Sequence, residues 1–187
     1  MPGSAIGVNL SLGYAGKVSR NGINKISARQ VKSILDGNGA ETMAAVPFGK
    51  AVVTNIDNTY SLFGASGSGV SSAVYASFGG IAVSEVKQSM TYGYGPNVSA
   101  GQYEPNSPCD VLQMGTTTVF CTEGTPTANG LVYIVTVAGS VAAVGDFVAT
   151  ANPDAGTAVQ VANARWTNGK QDASGIAEIV LLAQANA

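Results

Sequence analysis

The sequence contains no histidine, so it lacks the side chain that most often serves as a general base or a metal ligand. Charged residues make up only 11% of the 187 residues, less than half of the roughly 25% typical of soluble domains. A β protein with a neutral surface would have this composition. So would a chain that is mostly covered in a homo-oligomer or larger assembly, because buried Lys and Glu side chains are desolvated at a cost.

Cysteine is also scarce, and two cysteines without histidine do not complete a metal site. Cys109 and Cys121 flank an expected hairpin turn at Met114-Gly115-Thr116, which would place them opposite each other on two strands. A disulfide is one outcome, although direct cross-strand geometry is often strained. We favour two reduced, partly buried thiols.

The chain lacks the sequence features of secretion and of membrane insertion. Its first twenty residues have no charged region followed by a long apolar one, and no run approaches the roughly 18 apolar residues of a membrane span. We therefore expect no membrane partner and folding in a cytoplasm with reduced thiols.

Familiar catalytic and cofactor motifs are missing as well. The loop from Gly64 to Gly69 lacks the Gly-Lys-Ser/Thr ending of a phosphate-binding loop and the spacing of a dinucleotide-binding one, so we expect no cofactor. Asp110 and Asp146 are typical of strand edges or turns, and Trp166 is typical of a core residue. The pI of about 4.9 argues against nucleic acid as a partner. We expect neither an enzyme nor a metal site.

What the chain does contain is a succession of short β-branched runs separated by Gly, Pro and Asn. Roughly ten strands with turn signals every 8–12 residues predict an all-β fold, a small barrel or sandwich with little helix. Asn168-Gly169 and Ser174-Gly175 are predicted turns. The predicted strands include CDVLQM, TTTVFC, LVYIVTV, GDFVAT, AVQVANARW and IAEIVLL.

Charge is unevenly distributed between an expected N-terminal arm, residues 1–35, and a single β-rich domain, residues 36–187. Six basic and two acidic residues precede position 51, whereas three basic and nine acidic residues follow it. Such an arm either lies on an acidic partner or folds back onto its own acidic body. The candidate partner-binding residues of the arm are Lys17, Arg20, Lys25, Arg29 and Lys32.

A second candidate binding region is the long loop over residues 91–108, which is rich in Tyr, Gly, Pro and Asn. Loops this long are usually functional or covered by a partner. Tyr92, Tyr94 and Tyr103 belong to a residue type enriched in interfaces. The alternative is that these tyrosines cap the barrel of their own chain.

The order of several segments resembles the virion structural proteins of tailed bacteriophages, of the capsid decoration (cement) type. These segments are GYAGKVSRNG, ISARQVKS, PFGKAVV with FGGIAVSEVKQ, YEPNSPCDVLQMGTTTVFC, GTPTANGLVYI and ARWTNGKQDASGIAEIVLL. The resemblance covers nearly the whole chain, and its specificity comes from the succession of segments.

The resemblance implies a non-enzymatic β-rich protein on the exterior of the capsid, assembled in the host cytoplasm. Its partners would be the major capsid protein, whose neighbouring subunits it bridges, and further copies of itself in a dimer or trimer. Two alternatives remain open. One is another virion component, such as a head fibre base, neck or tail protein. The other is a carbohydrate-binding adhesion module that uses Tyr92, Tyr94, Tyr103 and Trp166 as stacking platforms.

Overall fold

The computed structural model describes residues 12–19, 22–84, 101–154 and 156–182 of the chain. The predicted all-β class is confirmed, because the one helical element in these ranges is a single 3₁₀ turn, Tyr75–Ser77. The strands are β1 Lys25–Gln30, β2 Val46–Pro47, β3 Ala51–Thr54, β4 Tyr60–Leu62, β5 Phe78–Ala82, β6 Gln102–Tyr103, β7 Pro108–Glu123, β8 Leu131–Val137, β9 Phe147–Val148, β10 Thr157–Gln171 and β11 Ile176–Leu181.

Of the two predicted architectures, the structure has the barrel. The second half of β7 pairs with β11, and the ring continues through β10, β8 and β9 back to β7. We call this ring the C-terminal barrel. Apolar residues at alternate positions point inward, as the two-residue period of a strand requires. Its core includes Val119, Ile134, Val161, Trp166 and Ile179.

A second, smaller ring shares β7 with the C-terminal barrel, and we call it the N-terminal ring. The first half of β7 pairs with β1 on one edge and with β5 on the other, and β3 and β4 follow β5. The ring closes where the amide of Lys32 donates to the carbonyl of Tyr60, 2.8 Å away, beside the bridge from Val31 to Tyr60. Its core includes Val31, Val52, Tyr60, Cys109 and Val111.

The predicted hairpin turn at residues 114–116 is wrong, because β7 runs without interruption through both rings. Gly115 has a φ of 124°, which side-chain-bearing residues rarely adopt. A Cβ on Gly115 would lie 2.0 Å from Oδ1 of Asn24. Glycine at this position therefore lets the strand continue past Asn24 where a turn was expected.

The two cysteines consequently lie apart, near opposite ends of β7 and in different hydrophobic clusters. Both are free, buried thiols, as we favoured from the sequence. Burial raises the pKa of the Cys109 thiol well above its ordinary range, and burial raises that of Cys121 to about 11. Neither thiol is activated as a nucleophile.

Near the C-terminus one predicted turn is confirmed and one is wrong. Ser174-Gly175 lies in the turn between β10 and β11, where the amide of Gly175 donates to the carbonyl of Asp172. Asn168-Gly169 instead lies within β10. Gly169 has a φ of 63°, and a Cβ there would lie 2.4 Å from the amide nitrogen of Ala128. This glycine permits close packing of β10 against the loop before β8.

Candidate functional site

Two segments of the predicted arm pair with β7. The amides of Gly16 and Ser19 donate to the carbonyls of Thr118 and Thr116, and the amide of Thr118 donates to the carbonyl of Lys17. Farther along the chain, β1 pairs with the first half of β7 from Lys25↔Met114 to Gln30↔Pro108. Residues 16–19 and 25–30 are thus held by the sheet, while the division of the chain at residue 35 stays a prediction.

The basic candidates separate into two groups. Lys17 and Lys25 are exposed, on either side of the place where the chain passes Gly115. Arg29 instead places its guanidinium 5.2 Å from the centroid of the Tyr60 ring, within cation–π range. Arg20 lies outside the described residues.

Lys32 also engages its own chain. Its ammonium lies 2.5 Å from Oδ2 of Asp57 and donates to it. This hydrogen bond, together with that from the Thr59 hydroxyl, holds the pKa of Asp57 below its ordinary value. Arg29 and Lys32 therefore follow the alternative in which basic residues fold back onto the body. The partner-binding role of all five residues stays a prediction.

The tyrosine candidates are only partly described, since Tyr92 and Tyr94 lie outside the described residues. Tyr103 lies on β6 and is 2% exposed. Its hydroxyl donates to the carbonyl of Val83 at 2.5 Å, and its ring meets that of Phe48 edge-on at 5.0 Å. Tyr103 thus packs against the N-terminal ring of its own chain, which is the alternative considered from the sequence, and its partner-binding role remains untested.

Trp166 bears on the carbohydrate-binding alternative. It is 1% exposed and belongs to the core of the C-terminal barrel, as its sequence context indicated. Trp166 and Tyr103, the two described stacking candidates, therefore do not present their ring faces to solvent.

One polar contact between the rings was not anticipated. Lys50, next to β3, forms an ion pair with the buried carboxylate of Asp146, next to β9. Burial lowers the pKa of Lys50. The amide of Ala51 also donates to the carbonyl of Gly145, 3.3 Å away. No sequence motif pairs Lys50 with Asp146, and only the folded chain brings the residues before β3 and before β9 together.

The described ranges contain no group of three or more Asp, Glu, Cys or His side chains that could hold a metal ion. Over the same ranges, no helix is long and apolar enough to cross a membrane.

A comparison with known protein families identifies the family of this chain. Residues 3–181 match the family model of the XM1 gp53 minor capsid protein. The chain belongs to the XM1 gp53 minor capsid protein family. It is therefore a capsid-associated structural protein of a tailed-phage virion, as the resemblance predicted.

A solved structure supports the fold assignment for this XM1 gp53 family member. A chain described as "The capsid of Myoviridae Phage XM1" superposes with a TM-score of 0.62, and the alignment covers 96% of each chain. Sequence identity is 19%, so this likeness shows a shared fold. No curated protein matches the sequence significantly.

Proposed function

We propose that this minor capsid protein is a decoration protein that binds the outside of the phage head and stabilises contacts between major capsid subunits. The observation that carries the proposal is the family match over residues 3–181. The proposed mode of action is non-enzymatic: the protein contributes buried surface, as a homo-oligomer that engages several capsid subunits at once.

The fold suits a protein that acts through its surface. The second half of β7 is paired on both edges, with β11 on one side and with residues 16–19 or β9 on the other. The Lys50–Asp146 pair and the shared strand join the two rings. A rigid body of this kind loses little conformational entropy on binding, so more of the contact free energy appears as affinity.

The exposed lysines supply a second element of the proposal. Lys17 and Lys25 lie on the arm, whereas residues 51–187 have an excess of acidic residues. An acidic region of the capsid surface would attract Lys17 and Lys25, and added salt would screen the attraction.

The number of copies per virion separates this function from the other virion roles. We expect the protein in purified particles at a copy number comparable to that of the major capsid protein, measured by quantitative gel or mass spectrometry. A few tens of copies or fewer would instead indicate a neck, tail or head-fibre component and would contradict the decoration role.

A further inference from the structure

The exposed surface contains an apolar groove at the place where β7 passes from one ring to the other. Its volume is about 300 Å³. Because Gly115 has no Cβ, Asn24 can approach the strand there and form one side of the depression. The groove is lined by residues 22–24, 114–116 and 180–182.

The walls of this groove carry two of the more exposed large apolar side chains of the described chain. Ile23 is 84% exposed and Leu182 is 58% exposed. They lie on separate segments, one before β1 and one after β11, and Val180 and Met114 line the groove with them. Exposed apolar side chains that meet at one groove, on a chain otherwise rich in Ser, Thr, Asn and Gly, form a surface on which a partner can dock.

The charges next to the groove are basic. Lys25 pairs across the sheet with Met114, and Lys17 precedes the bridge from Val18 to Thr117, so both exposed lysines belong to segments beside the groove. Glu178, the carboxylate of β11 nearest in sequence to Val180, is 5% exposed and accepts a hydrogen bond from the Ser19 hydroxyl at 2.7 Å. A partner would therefore meet ammonium groups around an apolar depression.

We propose that this groove receives a surface segment of the major capsid protein that carries an aliphatic or aromatic side chain flanked by carboxylates. The inference rests on the proposed decoration function and names the surface that performs it. The apolar side chain would fill the space between Ile23 and Leu182, and the carboxylates would face Lys17 and Lys25. The volume suits one or two such side chains, which anchor the contact while the charged rim sets its orientation.

The test measures binding of the purified full-length protein to phage heads from which it has been removed. The variants Ile23→Ser and Leu182→Ser each remove one apolar wall, and Ile56→Ser is the matched control. Ile56 is fully exposed in the turn between β3 and β4 and lies outside the groove. Loss of one buried aliphatic side chain from a contact predicts binding that is about tenfold weaker or more for each groove variant and unchanged for the control.

The remaining outcomes separate the groove from the proposed function. If wild-type protein binds heads and both groove variants bind equally well, the groove is not the docking site although the decoration role stands. Equal weakening of all three variants would also overturn the inference. If the groove variants change only the oligomeric state of the free protein, the occupant is a second copy of this chain. If wild-type protein does not rebind, the proposed function itself fails. The two variants lie on different segments, so misfolding of one, checked by thermal unfolding, leaves the other informative.

Discussion

At the scale of single residues, Gly115 allows β7 to continue past Asn24 as one strand shared by both rings. Its φ of 124° and the 2.0 Å approach to Asn24 leave no space for a side chain. We expect Gly115→Ala to lower the free energy of unfolding by about 1–3 kcal/mol, because the new methyl group strains the backbone and displaces Asn24. Urea denaturation measures this effect. Gly37→Ala is the control, since no atom lies within 4 Å of the added Cβ, and equal stability of the two variants would contradict the assignment.

The cysteines give a second prediction at this scale. Because burial raises the pKa of both thiols, they stay protonated and unreactive at pH 8 in the folded protein. We expect a thiol reagent to label neither cysteine of the native protein and both cysteines in denaturant without reductant. Labelling of neither in denaturant would show a disulfide, and rapid native labelling would contradict the burial.

At the scale of elements, the N-terminal ring depends on the segment just after β1. Val31 is fully buried and forms the bridge to Tyr60 that closes the ring. We expect Val31→Ala to lower the free energy of unfolding by about 1–3 kcal/mol, through lost apolar contact and the cavity left behind. Leu35→Ala, at an exposed site four residues later, should have little effect. Equal values for the two variants would show that residues near 31 are not part of the core.

The sequence predicted elements better than it predicted their connections. Short apolar, β-branched runs located LVYIVTV, AVQVANARW and IAEIVLL, which lie in β8, β10 and β11. Gly115 and Asn168-Gly169 gave the wrong result, because a glycine that permits a turn equally permits a strand to pass close to another chain segment. Only the three-dimensional neighbours, Asn24 and Ala128, distinguish the two cases.

For the candidate site as well, the sequence identified residue types but not their contacts. Composition identified a basic arm, but not that Lys17 and Lys25 stay exposed while Arg29 and Lys32 contact Tyr60 and Asp57. The Lys50–Asp146 pair joins residues 96 positions apart, and no local pattern signals such a contact. Ile23 and Leu182 are ordinary apolar residues in sequence, and only the folded chain shows that both are exposed beside one groove.

At the scale of the whole molecule, the charge of the arm predicts how the protein meets the head. We expect the double variant Lys17→Gln/Lys25→Gln to bind stripped heads several-fold more weakly than the wild type, with less sensitivity to salt, because an exposed attraction is screened by ions. The double variant with arginine at both positions is the control and should keep wild-type binding. Identical salt dependence for all three proteins would show that these charges do not face the capsid.

We propose that this family member holds capsid subunits together from outside the head. The direct measurement is the temperature at which purified heads lose their DNA, compared before removal of the protein, after removal, and after adding it back. We predict that removal lowers this temperature and that added wild-type protein restores it. Heads that are equally stable without the protein, and that do not rebind it, would contradict this stabilising role.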